Sequence, residues 1–171
     1  MERVEQVEPD DGFARLVSPE AAALLVVDVQ NDFCHEDGAF GRLGVEMEPI
    51  HRAVTALLRL IDEARRVKLP VIFIRTHHDK SNNSEAWLTR STHRARGKEI
   101  CETGSWGAEF YRVQPSPDEV VIIKHRYSGF VGTTLEVVLR SLQRRSVLVT
   151  GVATNVCVES TARDAFMRDY H

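Results

Sequence analysis

The chain has 171 residues, 43% of them hydrophobic, and a formal net charge of −3, which suits one folded domain with a single core. This charge gives no basic surface for nucleic acid, and the apolar runs are too short to cross a membrane. The N-terminus is acidic and lacks the apolar run of a secretory signal, so we expect a cytoplasmic protein with neither nucleic-acid nor membrane partners.

Apolar, β-branched runs alternate with helical repeats along the chain. In chain order, the pattern predicts a strand over residues 22–29, a helix that begins at Pro49 and ends before Lys68, strands over 71–76 and 119–124, a helix over 134–142, a strand over 146–150 and a helix over 155–168. Right-handed crossovers between parallel strands place such helices on both faces of a sheet. The expected fold class is therefore α/β, a Rossmann-like three-layer α/β/α fold with an open, mainly parallel sheet.

The domain organisation follows from the same pattern. We expect residues 1–20 to form an N-terminal arm and residues 21–171 to form one domain. The polar segment 77–117 has only a short helical pattern, over residues 85–94, and is expected to cross the active face of the sheet. The chain ends after the last predicted helix, where the alternation would supply another strand. We therefore expect a domain that is C-terminally incomplete, without its last strand and helix.

Three cysteines, Cys34, Cys101 and Cys157, lie far apart in the sequence and form no C-x-x-C pair. This spacing suits neither a disulfide framework nor a cysteine-rich zinc site. At least one thiol is therefore unpaired within the chain. A redox-sensing thiol is one interpretation, but no second cysteine is placed as its resolving partner.

Three chemically active side chains follow predicted strands. Asp28 ends the first strand, Lys124 ends the third, and Cys157 follows the fourth by a short loop. Because the carboxyl ends of parallel strands meet at one rim of the sheet, we expect these groups to converge. The helix dipole and Lys124 would favour a thiolate at Cys157, which predicts a lowered thiol pKa. Taken singly, such a cysteine is more often a small core residue and such an aspartate a helix cap.

Three motifs around these residues are similar to those of one enzyme family. Residues 25–33 read LVVDVQNDF, residues 124–130 read KHRYSGF and residues 150–158 read TGVATNVCV. In this order and spacing they resemble the isochorismatase-like cysteine hydrolases. The resemblance covers the chain from about Ala21 to its end.

The resemblance implies a role for each catalytic candidate. Cys157 would be the nucleophile, Asp28 the general base and acid, and Lys124 the group that holds and polarises the other two. It also implies a non-proline cis peptide between Val152 and Ala153. This bond would direct the backbone N–H groups of Ala153 and Cys157 at one oxyanion.

The motifs also indicate a branch of the family. True isochorismatases have a small residue at the position of Cys157, whereas a cysteine is typical of amide hydrolysis. Residues 126–130 and 153–161 look closest to the ureidoacrylate amidohydrolase branch, which resembles the N-carbamoyl amidohydrolases. The expected enzyme is therefore a hydrolase of C–N bonds in linear amides. It would cleave a small ureido or carbamoyl compound through a thioester, release ammonia and need no cofactor, and the resemblance implies a homodimer or homotetramer.

Five residues are candidates for binding this substrate. Phe33 and Trp106 could stack on a planar amide, and polar side chains could bind its edge. The polar candidates are Gln30, Tyr127 and Asn155.

Metal-assisted catalysis is an alternative, as in the nicotinamidases, which bind a metal through an Asp-x-His motif and a further histidine. Here Thr76 stands at the position of that aspartate, and the predicted site has no metal. The alternative ligands would be His77, His78, Asp79 and His93. A non-catalytic domain on this fold is the other alternative.

Overall fold

The computed structural model describes residues 11–90 and 100–171. Residues 1–10 of the predicted arm and residues 91–94 of the short helical pattern, including His93, lie outside these ranges. The described part of the predicted arm contains a short helix, α1, at Asp11–Leu16. Within the described ranges, no helix is long and apolar enough to span a membrane.

Four parallel strands form the sheet in the described part of the chain. They are β1 at Ala22–Val27, β2 at Val71–Thr76, β3 at Val120–Lys124 and β4 at Ser146–Gly151. Their order across the sheet is β3-β2-β1-β4, and every neighbouring pair is parallel. Thr76 is the register partner of Lys124, and Val27 is the register partner of both Ile74 and Gly151. The carboxyl ends of all four strands therefore lie at one rim, as the sequence predicts.

Helices cover both faces of this sheet. The remaining α-helices of the described residues are α2 at Asn31–Cys34, α3 at Ala39–Arg42, α4 at Glu48–Arg66, α5 at Glu85–Thr89, α6 at Leu135–Ser141 and α7 at Glu159–Phe166, and a 3₁₀ helix lies at Trp106–Ala108. Leu24 and Val26 of β1 pack in one buried cluster with α4, whereas Leu25 and Val27 pack in a second cluster with α6 and α7. This alternation gives the central strand two buried faces. The predicted three-layer α/β/α fold is confirmed.

Two predicted elements end differently in the structure. The first strand stops at Val27 because Asp28 has a φ of 54°, a left-handed conformation that breaks the pleat. The helix predicted over residues 155–168 is divided into a π-type turn at Thr154–Val158 and the α-helix α7. The Val158 N–H bonds to the Ala153 carbonyl, five residues back, which widens that turn.

The loops beside β1 are fixed by a buried carboxylate. Oδ1 of Asp32 accepts the backbone N–H of Ala39 at 3.0 Å, and Oδ2 accepts that of Cys101 at 2.7 Å. A Cβ on Gly107 would lie 2.2 Å from Oδ2, so only glycine leaves room for the carboxylate there. Asp32 therefore joins α2 and α3 to the segment that precedes β3.

We expect Asp32→Asn to lower the free energy of unfolding by about 2 kcal/mol, because its new NH₂ group faces a backbone N–H that has lost its acceptor. Urea denaturation followed by circular dichroism measures this change. Asp37→Asn is the matched control, because the Asp37 side chain is 88% exposed. Equal losses in the two variants would contradict the structural role of Asp32.

Candidate active site

The three predicted catalytic side chains converge at the carboxyl rim of the sheet. Lys124 ends β3, Asp28 directly follows β1, and Cys157 lies in the π-type turn after β4. Asp28 and Lys124 are at most 1% exposed, and Cys157 is 9% exposed. Nζ of Lys124 lies 2.8 Å from Oδ2 of Asp28 and 3.5 Å from Sγ of Cys157. The ammonium therefore contacts both the carboxylate and the sulfur.

Thr76 links the two charged groups. This residue ends β2, the strand between β1 and β3, and its hydroxyl accepts a hydrogen bond from Nζ of Lys124 at 2.6 Å. The same hydroxyl donates to Oδ1 of Asp28 at 3.0 Å. Nζ also donates to the backbone carbonyl of Arg126 at 3.0 Å. The ammonium is therefore fixed by four neighbouring groups.

The second carboxylate oxygen of Asp28 has a different environment. Oδ2 is buried and forms no hydrogen bond with any described group, so its 2.8 Å contact with Lys124 lies at ion-pair distance but outside hydrogen-bond angles. Buried polar atoms without a hydrogen-bond partner are rare in folded proteins. Oδ2 is therefore able to accept a proton.

The pKa of the Cys157 thiol is raised to about 12, first by burial and then by the negative charge of Asp28; Lys124 lowers it by less. The expectation of a lowered thiol pKa is therefore wrong, because desolvation and the carboxylate outweigh the cation. For Lys124, burial lowers the pKa, but Asp28 and Cys157 together raise it above its ordinary value. At neutral pH the site holds a protonated thiol and an ammonium group.

The loop before Cys157 is fixed against β1. The Val152 N–H bonds to the Val27 carbonyl at 2.9 Å, and a Cβ on Gly151, whose φ is 118°, would lie 1.9 Å from that oxygen. Glycine is therefore required where the loop passes β1. The peptide between Val152 and Ala153 is cis, which confirms the conformation implied by the resemblance.

A cavity of about 190 Å³ opens onto Cys157 and Lys124. Most of its lining is apolar or aromatic, and its polar lining residues include Thr76, His78, Arg90 and Arg126. The apolar and aromatic residues are Phe33, Phe40, Trp87, Ile100, Tyr127, Val152, Ala153 and Val156. A largely apolar cavity with a few polar groups is typical of a small-molecule site.

Two of the five predicted substrate-binding residues line this cavity, Phe33 and Tyr127. Gln30, Trp106 and Asn155 do not, and these positions correct the prediction for them. Gln30 is fully buried, and its side-chain amide forms hydrogen bonds with the backbone groups of Thr76 and Ala108. Trp106 is 47% exposed and packs edge-on against His35, and Asn155 is exposed at the start of the π-type turn.

The candidate metal ligands that the structure describes, His77, His78 and Asp79, do not form one cluster. His78 lines the cavity, whereas the neighbouring His77 does not, and Asp79 bonds to Ser81 and Thr103. Burial lowers the pKa of His78 to about 4. Among residues 11–90 and 100–171, no three His, Cys, Asp or Glu side chains form a group that could hold a metal ion. Thr76 offers no carboxylate ligand, and its hydroxyl forms hydrogen bonds with Lys124 and Asp28.

Several cavity residues were not predicted from the sequence. Arg126 lies two residues after Lys124, so the strand-end pattern could have indicated it. Trp87 and Arg90 lie in and just after α5, and the polar segment around them has no local signal that places it over the sheet. The sequence indicates His78 only as a candidate metal ligand.

The chain was compared with known proteins. Residues 22–171 match the Isochorismatase domain model. The ureidoacrylate amidohydrolase RutB of Methylobacterium radiotolerans is 32% identical over 167 residues, which are 90% of this chain and 65% of that protein. The chain thus spans about two-thirds of the length of this relative.

Two solved structures are also similar. A cysteine hydrolase from Pseudomonas syringae pv. phaseolicola 1448A is 30% identical with a TM-score of 0.76, covering 90% of this chain and 70% of that one. The N-carbamoylsarcosine amidase from Thermoplasma acidophilum is 30% identical with a TM-score of 0.72, covering 88% and 79%.

Because the pKa of Cys157 is raised to about 12, we expect its alkylation by iodoacetamide to accelerate roughly tenfold per pH unit from pH 8 to 10. Asp28→Asn removes a charge that raises this pKa, so alkylation at pH 8 becomes faster. Mass spectrometry of the Cys157 peptide measures both rates, with Asp37→Asn, a substitution at an exposed carboxylate, as the control variant. A plateau below pH 9 would contradict the raised pKa.

Proposed function

The chain belongs to the isochorismatase family, and on this premise we propose that it is a cysteine-dependent amidohydrolase of small linear ureido or carbamoyl compounds. The observation that carries the proposal is the buried contact of Lys124 with both Asp28 and Cys157 beside the cavity. The names of the relatives support the same chemistry, since they include an amidohydrolase, a cysteine hydrolase and an N-carbamoyl amidase.

In the first step, Oδ2 of Asp28 takes the thiol proton of Cys157 while Sγ attacks the carbonyl carbon of the amide. A C–S bond forms, and the carbonyl electron pair moves onto oxygen. The backbone N–H groups of Ala153 and Cys157 would donate hydrogen bonds to this oxyanion. Because the resting thiol is protonated, the proton moves only when substrate is present.

In the second step, the oxyanion collapses and the C–N bond breaks. Asp28 returns the proton to the departing nitrogen, which leaves as ammonia, and the carbamoyl group remains on Sγ as a thioester. Water then attacks this thioester and Asp28 takes a proton from the water. As the C–S bond breaks, Asp28 passes that proton to the departing sulfur, which restores the thiol and the carboxylate. A ureido substrate thus gives ammonia and a carbamate, which loses carbon dioxide.

Lys124 stays protonated throughout this cycle. Its ammonium group stabilises the negative charge that moves between Asp28, the sulfur and the substrate oxygen. The hydrogen bonds to Thr76 and the Arg126 carbonyl hold Nζ in place during these steps. Lys124 therefore acts by its charge rather than by proton transfer.

Ammonia release from ureidoacrylate, N-carbamoyl amino acids, biuret and nicotinamide tests the proposal. We expect release from at least one ureido or carbamoyl compound and a loss of more than about 10³-fold in Cys157→Ala, which lacks the nucleophile. Cys34→Ala is the matched control, because Cys34 is also a buried free cysteine but does not line the cavity. Release that persists in Cys157→Ala, or release from nicotinamide alone, would contradict the proposal.

Thr76→Val tests the link between the two charged groups. Valine has a similar shape but neither accepts from Lys124 nor donates to Asp28, so we expect kcat to fall about 10- to 100-fold with little change in KM. Steady-state kinetics on the preferred substrate measure this effect. Thr133→Val is a control hydroxyl deletion outside the cavity, and an equal fall in kcat there would argue against the proposed link.

A further inference from the structure

Two arginines lie over the same aromatic ring at the cavity. Cζ of Arg90 is 3.7 Å from the ring centroid of Trp87, and Cζ of Arg126 is 5.0 Å from it. All three residues line the cavity that contains Cys157. The ring stabilises each cation through a cation–π contact, but two like charges beside one ring also repel each other.

Hydrogen bonds hold both guanidinium groups and leave part of each unused. Nε of Arg90 donates to the Tyr127 hydroxyl at 3.1 Å, and Nη1 donates to the Trp87 carbonyl. Nη1 of Arg126 donates to the carbonyls of Asn82 at 3.1 Å and His125 at 2.6 Å. In the described residues, no acceptor is found for Nη2 of either arginine. Each guanidinium group is therefore held in place and still has N–H donors that could bind a ligand.

Neither arginine has a carboxylate partner among residues 11–90 and 100–171. The described lining of the cavity contains no Asp or Glu side chain. Lys124 is already paired with Asp28. Arg90 is exposed and Arg126 is half-buried, so the two guanidinium groups place positive charge beside a largely apolar cavity, where a bound anion would be favoured.

We propose that Arg90 and Arg126 form a carboxylate-binding subsite, so that the substrate is a ureido or carbamoyl acid whose carboxylate lies away from the scissile bond. The planar guanidinium fork matches a carboxylate and binds it through charge-assisted hydrogen bonds. Trp87 positions both arginines. This inference rests on the proposed function for its substrate class, although binding at the subsite can be measured without turnover.

Isothermal titration of the Cys157→Ala protein with N-carbamoyl-β-alanine and with its methyl ester tests the subsite. The two ligands differ in the charge at one end, and the variant cannot turn them over. We expect the acid to bind at least tenfold more tightly than the ester. Arg90→Met and Arg126→Met, each added to Cys157→Ala, should remove most of this preference, and Arg126→Lys should keep part of it.

Arg163→Met in the same background is the matched control, because Arg163 is exposed on α7, pairs with Glu159 and lies outside the cavity lining. It should keep the full preference for the acid. Equal affinity for acid and ester, or a preference that survives both cavity substitutions, would overturn the inference. A wild-type protein that prefers the acid but releases no ammonia would support the subsite and overturn the proposed function alone.

Discussion

The buried ion pair between Lys124 and Asp28 is the constraint on which the rest of the site depends. Two charges in the interior lose their hydration, and only close pairing with further hydrogen bonds offsets that loss. The three strands β3, β2 and β1 supply this arrangement together, because their carboxyl ends carry Lys124, Thr76 and Asp28 at one level of the sheet. A slip of one residue in β1 or β3 would move Asp28 or Lys124 to the other face and leave a buried charge unpaired.

The same pair influences the protonation state of Cys157. Many reactive cysteines are thiolates at rest because cations surround them. Here the cation is shared with a carboxylate, and burial together with Asp28 keeps the sulfur protonated. The proton therefore stays on the sulfur, and the thiol is weakly nucleophilic at rest.

The two halves of the site differ in how they are held. The half of the site that contains Asp28, Lys124 and Cys157 consists of strand ends and of a loop that hydrogen-bonds to the Val27 carbonyl of β1. Backbone geometry therefore fixes this half. The other half contains Trp87, Arg90 and Arg126. It is formed by loops and the short helix α5, which are joined by side-chain contacts. Loops tolerate sequence change better than paired strands. The strand ends are therefore suited to chemistry that a whole family shares, and the loops are suited to the recognition of a particular substrate.

The sequence is enough to predict the α/β/α fold, the order of its strands and helices, and the convergence of Asp28, Lys124 and Cys157. These follow from the hydrophobic periodicity and from the rule that parallel strands end at one rim. It could not determine the pKa of Cys157, which depends on how far burial and Asp28 outweigh Lys124, nor the position of Gln30, whose amide is used by two backbone segments. That Trp87, Arg90 and Arg126 share the cavity is evident only in the folded chain, because distant loops meet there and no local pattern encodes their contact.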